Sequence, residues 1–315
     1  MSISISAVVP SYNNAPYLPA AIGSIRSQVP AVSEIIVVDD GSTDDTARVI
    51  AQLGDGIRYL RQDNSGPSAA RNRGLAQARG DWIAFLDADD QWTQDKLEKQ
   101  LKALQRHPEL GLIAGDMAEI DLSGTIITPS VLAKHHLQER FQALDGAPAE
   151  NPVASLLEKN FIPTGTVLAR RALLMEAGGF PEDIRFGEDL ALWVRVAAKA
   201  PITCLADRLM LRLQHGANLT GSNERMVNDL VRVARYLRET EPEGLRSAGI
   251  DPDRLVSQSL GNLGYWLFDQ GRSTEARRAL RESFRELANT RAAAYWLASC
   301  LPSPVINTLR HLKSG

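Results

Sequence analysis

Asp87, Asp89 and Asp90 lie together in the run Phe85-Leu86-Asp87-Ala88-Asp89-Asp90, directly after an apolar stretch. In an extended chain residues i and i+2 face the same way, so Asp87 and Asp89 are expected to project together. Two carboxylates on one side can hold a hard divalent cation such as Mg²⁺ or Mn²⁺, through oxygen ligands shared with substrate phosphates. The same residues would also serve as a solvated acidic turn capping the helix near Thr93. A second acidic pair, Asp39-Asp40, follows Val37-Val38 and precedes Gly41-Ser42-Thr43-Asp44. A carboxylate there could accept hydrogen bonds from a nucleobase imide or a ribose hydroxyl, although Asp, Gly and Ser are also ordinary turn formers. Arg71 falls on the first turns of a helix opened by Gly66-Pro67. Helix N-termini attract phosphates, and a guanidinium fork could grip a diphosphate. The nearby Arg73 reads as an ordinary surface arginine.

Elements that would position these groups alternate along the first hundred residues. Ile3 to Val9 reads as a strand ending at Pro10, Ala15 to Gln28 as a helix, and Glu34 to Val38 as a strand buried on both faces. Ser42 with Asp45 resembles a capping box that opens a helix over Thr46 to Leu53. Ile57 to Arg61 is the next strand, Ser68 to Ala78 a helix, Trp82 to Leu86 a strand and Lys96 to Arg106 a helix. This β-α-β-α-β-α-β order predicts a parallel sheet with helices on both faces, which binds ligands at the carboxyl ends of its strands. The acidic pairs fall at those ends.

Beyond Gly111 the pattern changes. Leu112 to Ile127 reads as two strands around a turn at Ser123-Gly124. Residues 128–152 show no clear periodicity and are expected to be a mobile insertion, with His135-His136 on its surface. Phe161 to Leu168 reads as a strand, Arg171 to Ala177 as a short helix and Glu188 to Lys199 as a helix. Ile202–Ala206 and Arg208–Leu213 are expected to be paired strands. From about residue 222 the segments 225–239, 254–270, 273–288 and 291–300 are helical in pattern, giving two expected domains, 1–222 and 223–315. Tyr265-Trp266-Leu267-Phe268 with Gly271-Arg272, Ala276 and Leu280 resembles part of a tetratricopeptide-type helix pair. One partial repeat is too few for a stable array, so a helical cap is the expectation.

Composition narrows the classes. The 315 residues are 44% hydrophobic and 23% charged, as in a globular protein with a sizeable core. A formal net charge of −3 offers no global basic field for nucleic acid. Cys204 and Cys300 have neither disulfide-framework nor metal spacing, which makes the cytoplasm the expected compartment. The Met1-Ser-Ile-Ser-Ile-Ser start has no signal-peptide character, and no apolar run approaches the ~20 residues needed to cross a bilayer. Val305 to Lys313 is weakly amphipathic and basic, suited either to packing on the helical tail or to touching a membrane surface.

Together the motifs resemble those of the family-2 glycosyltransferases: Pro10-Ser11-Tyr12-Asn13, then Val38-Asp39-Asp40-Gly41-Ser42-Thr43-Asp44, then Gly66 to Asn72, then Leu86 to Asp90. The likeness runs from residue 3 to about 220. It implies a GT-A fold: an α/β, Rossmann-like, mainly parallel mixed sheet with helices on both faces, here followed by a C-terminal all-α segment. Inverting transfer from a nucleoside diphosphate sugar, with UDP the commonest nucleotide, is the implied activity. Pro10, Tyr12, Asp39, Arg71, Asp87, Ala88 and Asp89 would bind the nucleotide sugar. Asp89 would coordinate the divalent metal, Mn²⁺ or Mg²⁺.

Gly178-Gly179-Phe180-Pro181-Glu182 and Phe186-Gly187-Glu188-Asp189 resemble the elements in which that family places its catalytic base. A carboxylate at a helix N-terminus beside a cleft can stay ionised and take a proton from a hydroxyl. Asp189 is the expected base, and Glu188 its neighbour toward the acceptor. Leu211-Arg212-Leu213-Gln214-His215 resembles a downstream element whose histidine can approach the metal or diphosphate, although a structural histidine fits equally. The implied acceptor is the hydroxyl of a glycan, glycolipid or protein, met in the cytoplasm or at the cytoplasmic face of a membrane. Three rival readings fit the residues less well. A nucleotidyltransferase would carry a basic Gly-rich loop after the first strand, where this chain has Pro10 to Asn14. A dehydrogenase would carry Gly-x-Gly-x-x-Gly there. A non-catalytic scaffold with a vestigial sugar-nucleotide site would be expected to have lost its acidic motifs.

Overall fold

A computed structural model describes residues 3–215 and 224–300. They fall into two compact units, one drawn from Met1–Asp183 and Glu188–Thr220, the other from Ile184–Gly187 and Gly221–Gly315.

The first unit is built on one mixed sheet. Its first half runs β1 (Ile5–Ser11), α1 (Leu18–Arg26), β2 (Glu34–Asp39), α2 (Thr46–Gln52), β3 (Ile57–Arg61), α3 (Pro67–Gln77), β4 (Trp82–Phe85), β5 (Gln91–Trp92) and α4 (Lys96–Arg106). Then come β6 (Leu112–Ile120), β7 (Ile126–Thr128), α5 (Val131–Lys134), α6 (Gln138–Leu144), α7 (Pro152–Glu158), β8 (Leu168–Arg170), α8 (Arg171–Glu176), α9 (Glu188–Ala197) and β9 (Ile202–Leu213). Strand order is β3-β2-β1-β4-β8-β6-β9-β5, with β7 alongside β6. The first four strands are parallel. β8 runs antiparallel to both β4 and β6, and β9 is again parallel to β6.

β1 is buried at every position, because helices cover both faces of the sheet. Ile5, Ala7 and Val9 join Ile22 of α1 and Leu97 of α4 in one core. Val8 points the other way, at α3. There Gly74 is the contact residue: a Cβ on it would lie 2.3 Å from Val8 Cγ1. The absent side chain lets the helix carrying Arg71 sit directly on the central strands.

Four expectations change. Phe161 to Leu168 is not a strand: Pro163 opens a 3-10 turn at Thr164–Thr166, closed by Thr166 Oγ1 donating to the Pro163 carbonyl, and the strand begins only at Leu168. Residues 128–152 are not structureless. α5 and α6 form there, and the Asp116 carboxylate accepts the Val131 and Leu132 N–H groups at the start of α5. Ile202–Ala206 and Arg208–Leu213 do not pair with each other. They are one strand, and its register against β6 slips at Gly115/Asp116. At that slip Leu209 occupies the space a Cβ on Gly115 would need, 2.3 Å away. Finally, Asp87 to Asp90 is not extended: the Asp90 N–H donates to the Asp87 carbonyl at 3.0 Å and closes a turn.

The second unit is helical: α10 (Glu224–Thr240), α11 (Pro242–Ser247), α12 (Pro252–Asp269), α13 (Ser273–Glu286) and α14 (Thr290–Ser299). Val231, Val256, Leu260, Leu267 and Ala276 form its core. Gly264 admits Leu280 between α12 and α13, as a Cβ there would lie 2.6 Å from Leu280 Cγ. Asp229 on α10 accepts the N–H groups of Arg185 and Phe186. The segment Val305 to Lys313 lies outside the described residues. Among the described residues no helix is long and apolar enough to cross a membrane.

Gly74 and Gly23 offer a paired test. Gly74→Ala should destabilise the fold by roughly 1–3 kcal/mol through overpacking. Gly23 sits exposed on α1 with nothing within 4 Å of a Cβ, so Gly23→Ala should be neutral or stabilising by up to about 1 kcal/mol. Denaturant unfolding reads both. Equal effects at the two sites would contradict the described approach of α3 to β1.

Candidate active site

The carboxyl ends of β1, β2 and β4 lie side by side, and the loops leaving them are laced together. Asn13 takes a left-handed conformation (φ 54°) after β1. Its N–H donates to Ser42 Oγ at 2.9 Å, and its side-chain oxygen accepts the Thr43 N–H at 2.8 Å. Gly41, at φ +81°, passes so close to the next loop that a Cβ would meet the Asn64 nitrogen at 2.9 Å. Asp40 fixes the entry to α3: its oxygens accept the Ser65 and Gly66 N–H groups, at 2.9 and 2.8 Å, and the Gln62 amide. Thus the Asp39-Asp40 turn sets the start of the helix that presents Arg71.

Arg71 is buried, 6% exposed, and sits between two acids. One nitrogen donates to Asp87 at 2.8 Å and another to Glu188 at 3.2 Å. The guanidinium carbon lies 5.3 Å from the centre of the Phe180 ring. Its Nε has no hydrogen-bond partner among the described residues. Next along α3, the Asn72 amide brackets residue 180, donating to the Phe180 carbonyl and accepting its N–H, and it also donates to Glu182. A Cβ on Gly179 would strike Asn72 at 2.5 Å. The Gly-Gly-Phe segment and α3 therefore lock together, and Glu188 and Asp189 at the start of α9 arrive next to Arg71.

Burial pushes the Glu188 carboxyl up to about 7, and the adjacent Asp189 charge adds to this while Arg71 opposes it. Burial also raises the Asp189 carboxyl, against the Leu190 N–H, the Arg71 charge and a 3.1 Å hydrogen bond from Asn160. Two neighbouring acids with raised proton affinity, tied to a buried arginine, are what proton-transfer sites share.

Asp89 lies 2.9 Å from His215 Nε2, and the His215 ring stacks on Tyr17 with centroids 4.9 Å apart. The two are hydrogen-bonded to each other; both are residue types that ligate divalent cations, and to hold one they would give up this bond. Among the described residues no group of three or more acidic, His or Cys side chains could hold a metal, so the remaining ligands would come from phosphates and water. Asp90 stands apart from this pair. It is buried, accepts the Leu213 N–H, and burial with the charges of Asp87 and Asp89 holds its carboxyl well up.

Of the expected nucleotide contacts, Tyr12 is 48% exposed at the strand ends and free to meet a base. Pro10 and Ala88 are buried, so what they offer a ligand is main chain. Asp39 is fully buried and already engaged, accepting from Ser42 N–H, Tyr59 hydroxyl and Arg61. Its burial favours the neutral acid, but these hydrogen bonds and the Arg61 charge win and hold its carboxyl below the usual range. Asp40, Asn72, Asn160, Tyr17 and Arg61 went unassigned from sequence. Asp40 and Asn72 sit inside the quoted motifs. Asn160 has no sequence signal.

Residues 6–162 match the family described as Glycosyl transferase family 2. An uncharacterized glycosyltransferase of Rickettsia conorii is 30% identical over 240 residues, covering 74% of this chain and 37% of the relative. A putative teichuronic acid biosynthesis glycosyltransferase of Bacillus subtilis is 43% identical over 103 residues, 31% of this chain and 40% of the relative. The chain spans about a third of the length of the first curated relatives it matches. Residues 1–349 of S. aureus TarS, solved in complex with UDP-GlcNAc, superpose with a TM-score of 0.67 at 18% identity, covering 98% of this chain and 90% of that one. That likeness shows the fold.

Glu188 gives a pH signature. Folded, it keeps its proton to about 7; an unfolded glutamate loses it near 4.5. Between those values the folded state holds more protons, so stability falls as pH rises through the window. Glu188→Gln should therefore stabilise the protein at pH 8, by on the order of 1–3 kcal/mol, and give no gain at pH 4. Thermal melts at the two pH values decide; an identical difference at both would rule out the titration.

Proposed function

Because this chain belongs to glycosyl transferase family 2 through residues 6–162, we propose that it is an inverting, metal-dependent transferase moving a sugar from a nucleoside diphosphate sugar to an acceptor hydroxyl. The observation that carries this reading is the convergence of Asp87, Arg71, Glu188 and Asp189 beside the carboxyl ends of the parallel strands of a mixed sheet. UDP is the proposed nucleotide, which the UDP-GlcNAc complex of the TarS fold relative supports. The Bacillus subtilis relative supports polysaccharide or cell-surface glycan synthesis as the setting. The acceptor is a glycan, glycolipid or protein hydroxyl, met in the cytoplasm or at the cytoplasmic membrane face.

Tyr12 stacks on the base from the rim of β1. Asp39 orders the uridine end, directly or through Arg61, and Asp87 lies beside the ribose. Arg71 has an unused Nε and places its positive charge at the leaving diphosphate. Asp89 and His215 would hold a divalent Mn²⁺ or Mg²⁺ ion, which neutralises phosphate charge when bound. Asp189 takes the proton of the acceptor hydroxyl. The acceptor oxygen forms a bond to the anomeric carbon as the bond to the phosphate oxygen breaks. The electron pair leaves with the nucleoside diphosphate. Attack from the opposite face inverts the anomeric centre. Glu188, paired with Arg71, lies beside the base on the acceptor side.

Nucleotide release from a panel of nucleotide sugars, measured with Mn²⁺, with Mg²⁺ and with chelator, tests the class. Release from one donor is expected, metal-dependent and lost in Asp89→Ala. Asp189→Asn should lower transfer by roughly 10²–10⁴-fold while donor affinity stays within a few-fold. A folded protein that binds no nucleotide sugar by calorimetry in the presence of metal would overturn the proposal.

A further inference from the structure

Asn160 lies between α7 and the 3-10 turn, with no motif to mark it. Its side-chain oxygen accepts the Ile162 N–H at 3.1 Å. That contact decides which way the amide faces, because only the oxygen can accept. The NH₂ group is thereby turned to Asp189, 3.1 Å from Oδ2. The other oxygen of Asp189 accepts the Leu190 N–H at 2.6 Å. The Asn160 amide and the Leu190 N–H thus hold different oxygens of Asp189, and the two contacts together fix the plane of the group.

We propose that Asn160 is a positioning residue for Asp189: its amide sets the carboxylate's orientation and keeps it ionised toward an acceptor hydroxyl. This rests on the reading of Asp189 as the base. The charged groups facing Asp189 are Arg71 from α3, which also binds Asp87, and Glu188 from its own helix. Arg71 is shared with two other acids, and the Leu190 N–H is main chain. Asn160 is therefore the neutral side chain assigned to this carboxylate. A donor to the ionised form favours that form, and burial pulls the other way.

Asn160→Leu keeps the size and removes the amide. The acid limb of the kcat/KM profile for sugar transfer should move up by about one pH unit. Transfer should fall about tenfold at pH values below the wild-type limb and stay within a few-fold of wild type at pH 9. Donor affinity by calorimetry should be unchanged. Asn160→Asp, of the same shape, places an acid against Asp189 and should shift the limb further, so the test survives if the leucine variant does not fold. A uniform loss at every pH with an unmoved limb in a folded variant would overturn the proposal and leave Asn160 a packing residue. Failure of the base reading is separate: Asp189→Asn would then transfer at the wild-type rate.

Discussion

Acids from two distant parts of the chain meet in this site because one guanidinium from a third lies among them. Asp87 ends β4, Glu188 and Asp189 open α9, and Arg71 on α3 binds both sides. Two like charges 4 Å apart near a protein surface repel by about 4 kcal/mol, so such a cluster needs an internal cation. The rest of the unit serves to put that cation there. Gly74 seats α3 on β1, Asp40 anchors the helix start, and Asn72 ties the helix to the segment leading to α9. Moving α3 would separate Asp87 from Glu188 and Asp189 in one step.

The network is also uneven. Asp87 and Glu188 are offset by Arg71, but Glu188 still holds its proton to about neutrality because burial outweighs the attraction. Asp39 is the opposite case: its side chain is out of solvent, yet the Ser42 N–H, the Tyr59 hydroxyl and Arg61 hold its carboxyl below the usual range. Burial dominates at Glu188, and hydrogen bonds with the Arg61 charge dominate at Asp39.

Much of this was readable in the chain. β1 to β4 and α1 to α4 follow from apolar runs punctuated by Pro, Gly and Asp, which are short-range signals. The motif residues Arg71, Asp87, Asp89 and Glu188-Asp189 stood out by type and position. What sequence did not disclose has both local and non-local causes. The break at Pro163 has a local cause that the apolar run from Phe161 hides. The slip of β9 against β6 depends on Leu209 filling the space beside Gly115. The turn at Asp87 to Asp90, rather than an extended pair, depends on one backbone hydrogen bond. Asn160 is separated from Asp189 by 29 residues, and nothing around it marks the contact.

The segment carrying α5, α6 and α7 is attached to the sheet in a particular manner. Asp116 holds the start of α5 through main-chain N–H groups, and the Ala149 N–H donates to the Ile202 carbonyl. Thr203 donates to the Ala147 carbonyl. Each of these bonds uses a main-chain atom of the segment, so they make no demand on its side chains. Such an attachment behaves like a socket: the exposed side chains of the segment are free of these bonds, while its buried Leu132, Phe141 and Leu156 hold it by packing. Changes to that surface need not disturb Arg71 and the acids it binds, Asp87 and Glu188.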